Sequence, residues 1–381
     1  MKNIKLYIYG ILAAITVSCS GNGEVSGNYL KVELNVERLL KNEVSVFDVV
    51  SQVDVVCLDD TVPLTYSVFN GSPWVDCSED NLFVLDPQTF SVHVYDMKGG
   101  FVEKADLYGR GAGEYVMAQM LRYNRAEKLL EVLDPTGKIY RYTTSPIKFH
   151  SLVDCTGRGL LSVHYYLFDG ENYILYSHRE EEKLWVFRGG DDTLQQLGYR
   201  LPNYLRLYTY LQRPVFEKDG RSYVYKSYDG AVDCINIEDG KLERAFEWDF
   251  GKYQAQLADI PEFDSAGDYV DFIKYFSNKK VSPFIDMKIA GDKIFANVIF
   301  EGGKIYSLIY DLSNSNSFFF EKTKDGMKFF HGNVLGNKMY MLVESGELPE
   351  FVNRDILDET SQKEYDKVMD TEGIAVVWYK L

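Results

Sequence analysis

A chain of 381 residues, 46% hydrophobic and 15% aromatic, can bury a large core, which excludes wholesale disorder. Its 57 acidic residues outnumber the 41 basic ones, for a net charge of −16. Such a surface repels phosphate backbones, so nucleic acid is not an expected partner.

The first elements in chain order are targeting features. Lys2 and Lys5 give a positive start, and Ile4 to Val17 is an apolar run too short for a membrane span. Small residues then precede a lone cysteine, Thr16-Val17-Ser18-Cys19, and a Gly-rich polar stretch follows. This resembles a bacterial lipoprotein signal, with Thr16 where Leu is usual. The reading is a signal peptide over 1–18, lipidation at Cys19, a flexible tether over 19–30, and one domain over 31–381. The mature chain then carries 39 basic and 57 acidic residues, a net −18. The implied address is the cell envelope, anchored in the outer membrane and facing the periplasm.

Past the tether a pattern recurs: a polar start, a short apolar strand, a turn of Asp, Gly or Pro, and a second strand. Copies begin at Asn81, Lys128, Asn172, Arg221, Asp292 and Asn337, at intervals of 47, 44, 49, 71 and 45 residues. Such a period matches a four-stranded propeller blade, and the long interval implies an insertion of about 25 residues. Blades cannot bury their faces alone and must stack around an axis. The sequence therefore predicts an all-β, six-bladed β-propeller of antiparallel blades with small helical insertions. The N-terminal run VSQVDVVCL and the C-terminal run GIAVVWYKL are expected to share the sixth blade and close the ring. Residues 264–278 and 354–370 have helical spacing, the first with Ser265 and Asp268 in capping positions, the second with Ile356, Tyr365 and Val368 available for packing.

Cys57, Cys77, Cys155 and Cys234 form no CxxC pair, and three of them lie in strand-like apolar runs, so buried free thiols are favoured over bridges. Asp86 and Asp134 each precede Pro at equivalent strand ends, a turn-initiating arrangement.

The lipoprotein start, the strands NLFVLD and FSVHVYDMKGG, and GRGAGEY at 109–115 together resemble a family of six-bladed β-propeller lipoproteins abundant in Bacteroidetes, distantly similar to NHL-repeat propellers. The last motif resembles that family's GxGxGEY turn, with Ala112 in place of a frequent Pro. The resemblance implies fold and location, and carries no settled activity.

Strand order locates a candidate ligand end. In an up-and-down blade the connections after the second and fourth strands emerge on one face. GRGAGEY, the stretch 200–213 and the insertion at 251–283 follow fourth strands, and 345–371 follows a second strand. Elaborated connections mark function. Candidate ligand contacts are Arg110, Glu114 and Tyr115 in the glycine turn, and Tyr204, Arg206, Tyr208 and Arg213 in NYLRLYTYLQR. There aromatic faces beside guanidinium groups suit sugars or acidic ligands. Each has a structural alternative, blade-to-blade pinning for the first group and blade core for the second.

GRGAGEY lacks the Lys-Ser/Thr of a phosphate loop, and Glu114 stands where a dinucleotide fingerprint needs its third Gly. His93, His150, His164, His178 and His331 are scattered, with no HExxH or GxSxG. No cofactor or metal is implied, and no catalytic residue can be named. The leading expectation is a binding or scaffolding lipoprotein for a protein, peptide or glycan. The alternative is a propeller enzyme, lyase- or lactonase-like, with a divalent metal on the axis.

Overall fold

The computed structural model describes residues 23–26, 29–65, 74–155, 162–177, 182–188, 193–200, 213–256, 280–281, 284–329 and 332–381. Among the described residues the first elements are β1 (Gly23–Ser26), β2 (Tyr29–Glu33), the single-turn helix α1 (Val36–Leu39) and β3 (Gln52–Cys57). Four-stranded units follow. Blade 1 is β4 (Val75–Cys77), β5 (Asn81–Leu85), β6 (Val92–Asp96) and β7 (Phe101–Ala105); blade 2 is β8 (Met120–Asn124), β9 (Leu129–Asp134), β10 (Lys138–Thr144) and β11 (Ile147–Asp154). Blade 3 is β12 (Tyr165–Phe168), β13 (Asn172–Tyr176), β14 (Leu184–Arg188) and β15 (Thr193–Gln196). Blade 4 is β16 (Val215–Lys218), β17 (Arg221–Tyr225), β18 (Ala231–Asn236) and β19 (Lys241–Asp249). Blade 5 is β20 (Phe284–Ala290), β21 (Lys293–Phe300), β22 (Lys304–Asp311) and β23 (Ser317–Phe320). Blade 6 is β24 (Asn333–Leu335), β25 (Lys338–Glu344) and β26 (Ile374–Lys380), completed by β3. Helices α2 (Leu348–Phe351) and α3 (Glu359–Thr371) lie between β25 and β26.

The repeat starts seen in sequence are the second strands, β5, β9, β13, β17, β21 and β25. These strands are buried on both faces: every residue of β13 and of β9 is buried. Fourth strands alternate instead, as β7 does, because one face meets solvent. First strands β4, β8, β12, β16, β20 and β24 ring the centre, where β4 touches β8 and β24, and β16 touches β12 and β20. Apolar residues between blades form the core. One cluster includes Ile174, Val186, Val224 and Leu308, and a second includes Phe295, Phe329, Val377 and Tyr379.

Ring closure is as expected: β26 pairs antiparallel with β3, Val377 opposite Val55, so both chain ends share blade 6. The rim differs from expectation in three respects. Strand pairing reaches back to Gly23, into the stretch read as tether, because the β1–β2 hairpin extends blade 4 with β2 parallel to β19. The helix expected over 354–370 is a 3₁₀ turn at Arg354–Ile356, then an Asp358 cap accepting from the Ser361 N–H at 2.7 Å, then α3. Tyr365 and Val368 are buried, as that spacing required. Finally, the 345–371 connection leaves the candidate ligand end but spends α3 on the outer edge of β3. Ser361 Oγ accepts from the Val55 N–H at 3.3 Å, and Glu364 Oε2 from the Cys57 N–H at 3.1 Å. An edge strand with free N–H groups is a template for unwanted pairing, and here a helix occupies it. The expected helix at 264–278 lies outside the described residues.

Among the described residues Cys57, Cys77, Cys155 and Cys234 form no disulfide, and the first three are buried. Asp86 Oδ1 accepts from the N–H groups of Gln88 and Thr89, and Asp134 Oδ1 from the Thr136 N–H, so both shape turns.

Candidate functional site

The glycine turn is a joint between blades 1 and 2. Tyr115 is fully buried, and its hydroxyl donates to the Phe90 carbonyl of blade 1 at 2.6 Å. From blade 2, Tyr142 Oη donates to the Gly113 carbonyl at 2.8 Å. Gly113 has φ +82°, and a Cβ there would stand 2.3 Å from the Phe149 ring, so only glycine fits. Glu114 folds back, Oε2 accepting from the Gly111 N–H at 2.7 Å. Tyr115 and Glu114 are thus spent on the turn, whereas Arg110 is exposed. Tyr204, Arg206 and Tyr208 lie outside the described residues, as does Cys19.

Arg213 lies elsewhere, at the centre of the ring. It leads into blade 4, yet its charge acts on Tyr165 of blade 3, Lys288 of blade 5 and Tyr340 of blade 6. A single side chain can reach three such blades only if it points towards the axis. Tyr165 likewise feels Arg122 of blade 2, Asp286 of blade 5 and Asp76 of blade 1. The hub is therefore polar, and its polar residues come from strands that surround it.

Asp76 lies in the middle of β4. Its carboxylate accepts from the Tyr123 N–H at 2.8 Å, from Tyr340 Oη at 3.1 Å and from Arg125 Nη2 at 3.3 Å. Those contacts tie blades 2 and 6 to blade 1. On β20, Lys288 Nζ lies 2.8 Å from Asp286 Oδ2, both side chains buried, and also donates to the Gly332 carbonyl of blade 6. Burial pushes the Lys288 ammonium down to about 8, with Asp286 opposing and Arg213 reinforcing that shift. Asn333 Nδ2 donates to the Val75 carbonyl of blade 1. Blade 4 reaches blade 5 through Tyr225 Oη on the Ile285 carbonyl at 2.9 Å.

Arg122, in the middle of β8, extends towards blade 3. Its Nη2 donates to the Phe168 carbonyl at 3.4 Å, and its guanidinium lies 5.8 Å from the Tyr166 ring centroid. Among the described residues its Nη1 is buried without a hydrogen-bond partner. Behind it, Glu131 accepts from Tyr166 Oη at 2.7 Å and Asn124 Nδ2 at 3.0 Å, and lies 3.3 Å from Arg141 Nε. Burial raises the Glu131 pKa.

Of the named candidates, Arg213 alone is placed at this hub. Asp76, Arg122, Tyr165, Asp286, Lys288 and Asn333 were missed. The available signal was a polar residue inside an otherwise apolar first strand, as in WVDC, MLRY and FIDMKI. Among the described residues, no three His, Cys, Asp or Glu side chains gather in a way that could hold a metal ion. His93 is buried within blade 1, His150 is exposed on β11, and His178 and His331 lie outside the described residues.

The strand order places the hub beneath the connections singled out in sequence. First strands begin at the end where second strands and fourth strands finish, so the 106–119 connection meets the hub at that end.

Two solved structures share this architecture. One, a "putative exported protein" of Bacteroides fragilis, is 13% identical with a TM-score of 0.66, covering 92% of this chain and 98% of its own. The other, a member of the DUF4221 family from Bacteroides vulgatus, is 8% identical with a TM-score of 0.57, covering 89% and 98%. At such identities the likeness shows the fold. No curated protein matches the chain. The model of the DUF5128 family, described as a 6-bladed beta-propeller, matches residues 72–335, and the chain belongs to that family.

Proposed function

We propose that this chain is an exported, lipid-anchored binding protein that holds a protein, peptide or glycan ligand at the mouth of the hub, on the end carrying the 106–119 connection. The observation behind this reading is the convergence at the hub of Asp76, Arg122, Arg213, Asp286 and Lys288, from four blades or the segments leading into them. A purely structural ring has no need for ionised groups in its centre, where desolvation is costly. Export is supported by the positive start, the short apolar run and Cys19, and anchoring by the geometry at the rim. Gly23, the first residue of β1, follows Cys19 by four positions. At about 3.5 Å per residue, an acylated Cys19 would hold the rim of blade 4 within about 14 Å of the bilayer.

The test is to immobilise the mature protein and probe it with a glycan array and an envelope extract. The expected result is one saturable ligand class whose binding falls when Arg213 and Arg110 are both changed to Ala. Saturable binding that is indifferent to those changes, or no binding, contradicts the reading. Metabolic labelling with a fatty acid tests the anchor separately, with Cys19→Ala expected to abolish incorporation.

A further inference from the structure

We propose that the hub carries an oxyanion subsite, with Arg122 as its principal contact, that receives a carboxylate or phosphate group of the ligand. This rests on the binding role above and names the chemistry of its innermost contact.

Charge is the first argument. Among the described residues the hub holds four cations, Arg122, Arg125, Arg213 and Lys288, against two carboxylates, Asp76 and Asp286. Both carboxylates are already engaged, Asp76 by Arg125, Tyr340 and the Tyr123 N–H, and Asp286 by Lys288. The centre is thus positive in a chain whose formal net charge is −16. An acidic exterior repels anions, while a local surplus of positive charge attracts them to the centre.

Hydrogen bonding is the second argument. Among the described residues Arg122 Nη1 is buried with no acceptor, and Nη2 makes one long contact, to the Phe168 carbonyl at 3.4 Å. A buried donor left unmade costs about 1–3 kcal/mol, and more when charged. A carboxylate or phosphate accepts from both nitrogens in the planar fork geometry arginine presents. The Tyr166 ring, 5.8 Å from the guanidinium carbon, restrains the plane of the fork in advance. Glu131 is the carboxylate placed to compete. Its charge also bears on Arg122, but its oxygens are already taken up by Tyr166 Oη, Asn124 Nδ2 and Arg141 Nε.

The experiment is calorimetric titration of the mature full-length protein at low ionic strength with inorganic phosphate and, separately, with citrate, using chloride as the control. Wild type is expected to bind at least one of the two with a single site, and chloride not at all. Arg122→Gln is expected to weaken that binding at least tenfold, and Arg122→Lys to recover part of it, with near-ultraviolet circular dichroism unchanged in both. Preference for phosphate or for citrate identifies which group the subsite takes. Failure of wild type to bind either anion, or equal binding by wild type and a folded Arg122→Gln variant, overturns the proposal. A captured ligand that still binds the Arg122→Gln variant at full strength removes the subsite while leaving the broader binding role standing.

Discussion

Asn333, the first residue of the last blade's inner strand, donates its side-chain amide to the backbone carbonyl of Val75 in the first blade. The ring is therefore sealed twice where its last blade meets its first. At the rim β3 completes blade 6, and at the hub the Asn333 amide and the Tyr340 hydroxyl, which donates to Asp76, bridge the seam. Asn333 is 3% exposed, so its loss cannot be repaired by bulk water. Asn333→Ala is expected to lower unfolding stability by about 1–3 kcal/mol, the cost of leaving a buried carbonyl unserved. Chemical denaturation of the variant beside wild type checks this, and an unchanged midpoint would count against a closed seam.

The joint at the glycine turn separates two effects. Tyr115→Phe deletes one hydroxyl donor to the Phe90 carbonyl and is expected to cost about 1 kcal/mol. Gly113→Ala must place a Cβ against the Phe149 ring at a backbone angle that L residues avoid, and is expected to cost roughly 2–4 kcal/mol. Thermal unfolding should rank them in that order. The reverse order would mean the turn is not held as described.

His93 supplies a pH dependence. It is buried in β6 with Nε2 3.2 Å from Ser91 Oγ, and burial pulls its pKa below the usual value of 6.5. Asp86 and Asp106 oppose that shift and Lys104 adds to it. A depressed pKa means the unfolded chain takes up the proton first. Stability is therefore unaffected above about 6.5 and falls as pH drops from there towards the folded-state pKa. His93→Gln should flatten this part of the stability profile. A wild-type profile already flat between pH 7 and 5, once carboxylate effects are matched in the variant, would contradict it.

The thiols give a chemical readout of burial. Cys77 is fully buried and pushed up to about 12, chiefly by burial, with Asp76 adding to the effect. Cys57 is likewise raised by burial, and Cys155 is fully buried. Of the four described cysteines, Cys234 alone is partly exposed. Since the thiolate is the reactive form, native protein should label first at Cys234 with a maleimide, and at the other three only after denaturation. Mass spectrometry of labelled peptides decides the order. Prompt native labelling of Cys77 would place β4 wrongly.

How much of this was legible in the sequence follows from where each residue finds its partners. Second and third strands such as NYILY and LWVFR are apolar because neighbouring blades cover both faces, so their repeat can be counted directly. Hub residues are the opposite case. Asp76 meets Tyr340 across 264 positions and Tyr123 across 47, and nothing local distinguishes it from a solvent-facing acid. The β1–β2 hairpin was read as tether because SGNGEVSGN is rich in Gly and Asn, and its pairing with β19 is a tertiary contact that local composition does not encode. Connection 345–371 showed its helical spacing, but not that Ser361 and Glu364 would turn that helix onto the rim. GRGAGEY stood out by its glycines, and their use is backbone closeness at a blade joint.

The most direct test of the central claim is amide hydrogen exchange of the mature protein with and without a saturating concentration of whichever anion, phosphate or citrate, binds in the calorimetric titration. A ligand seated at the hub mouth should protect the first strands β4, β8 and β20 and the 106–119 connection. The turns at 97–100, 237–240 and 312–316, at the opposite end, should exchange as before. Protection confined to those turns, or no change anywhere, would contradict it.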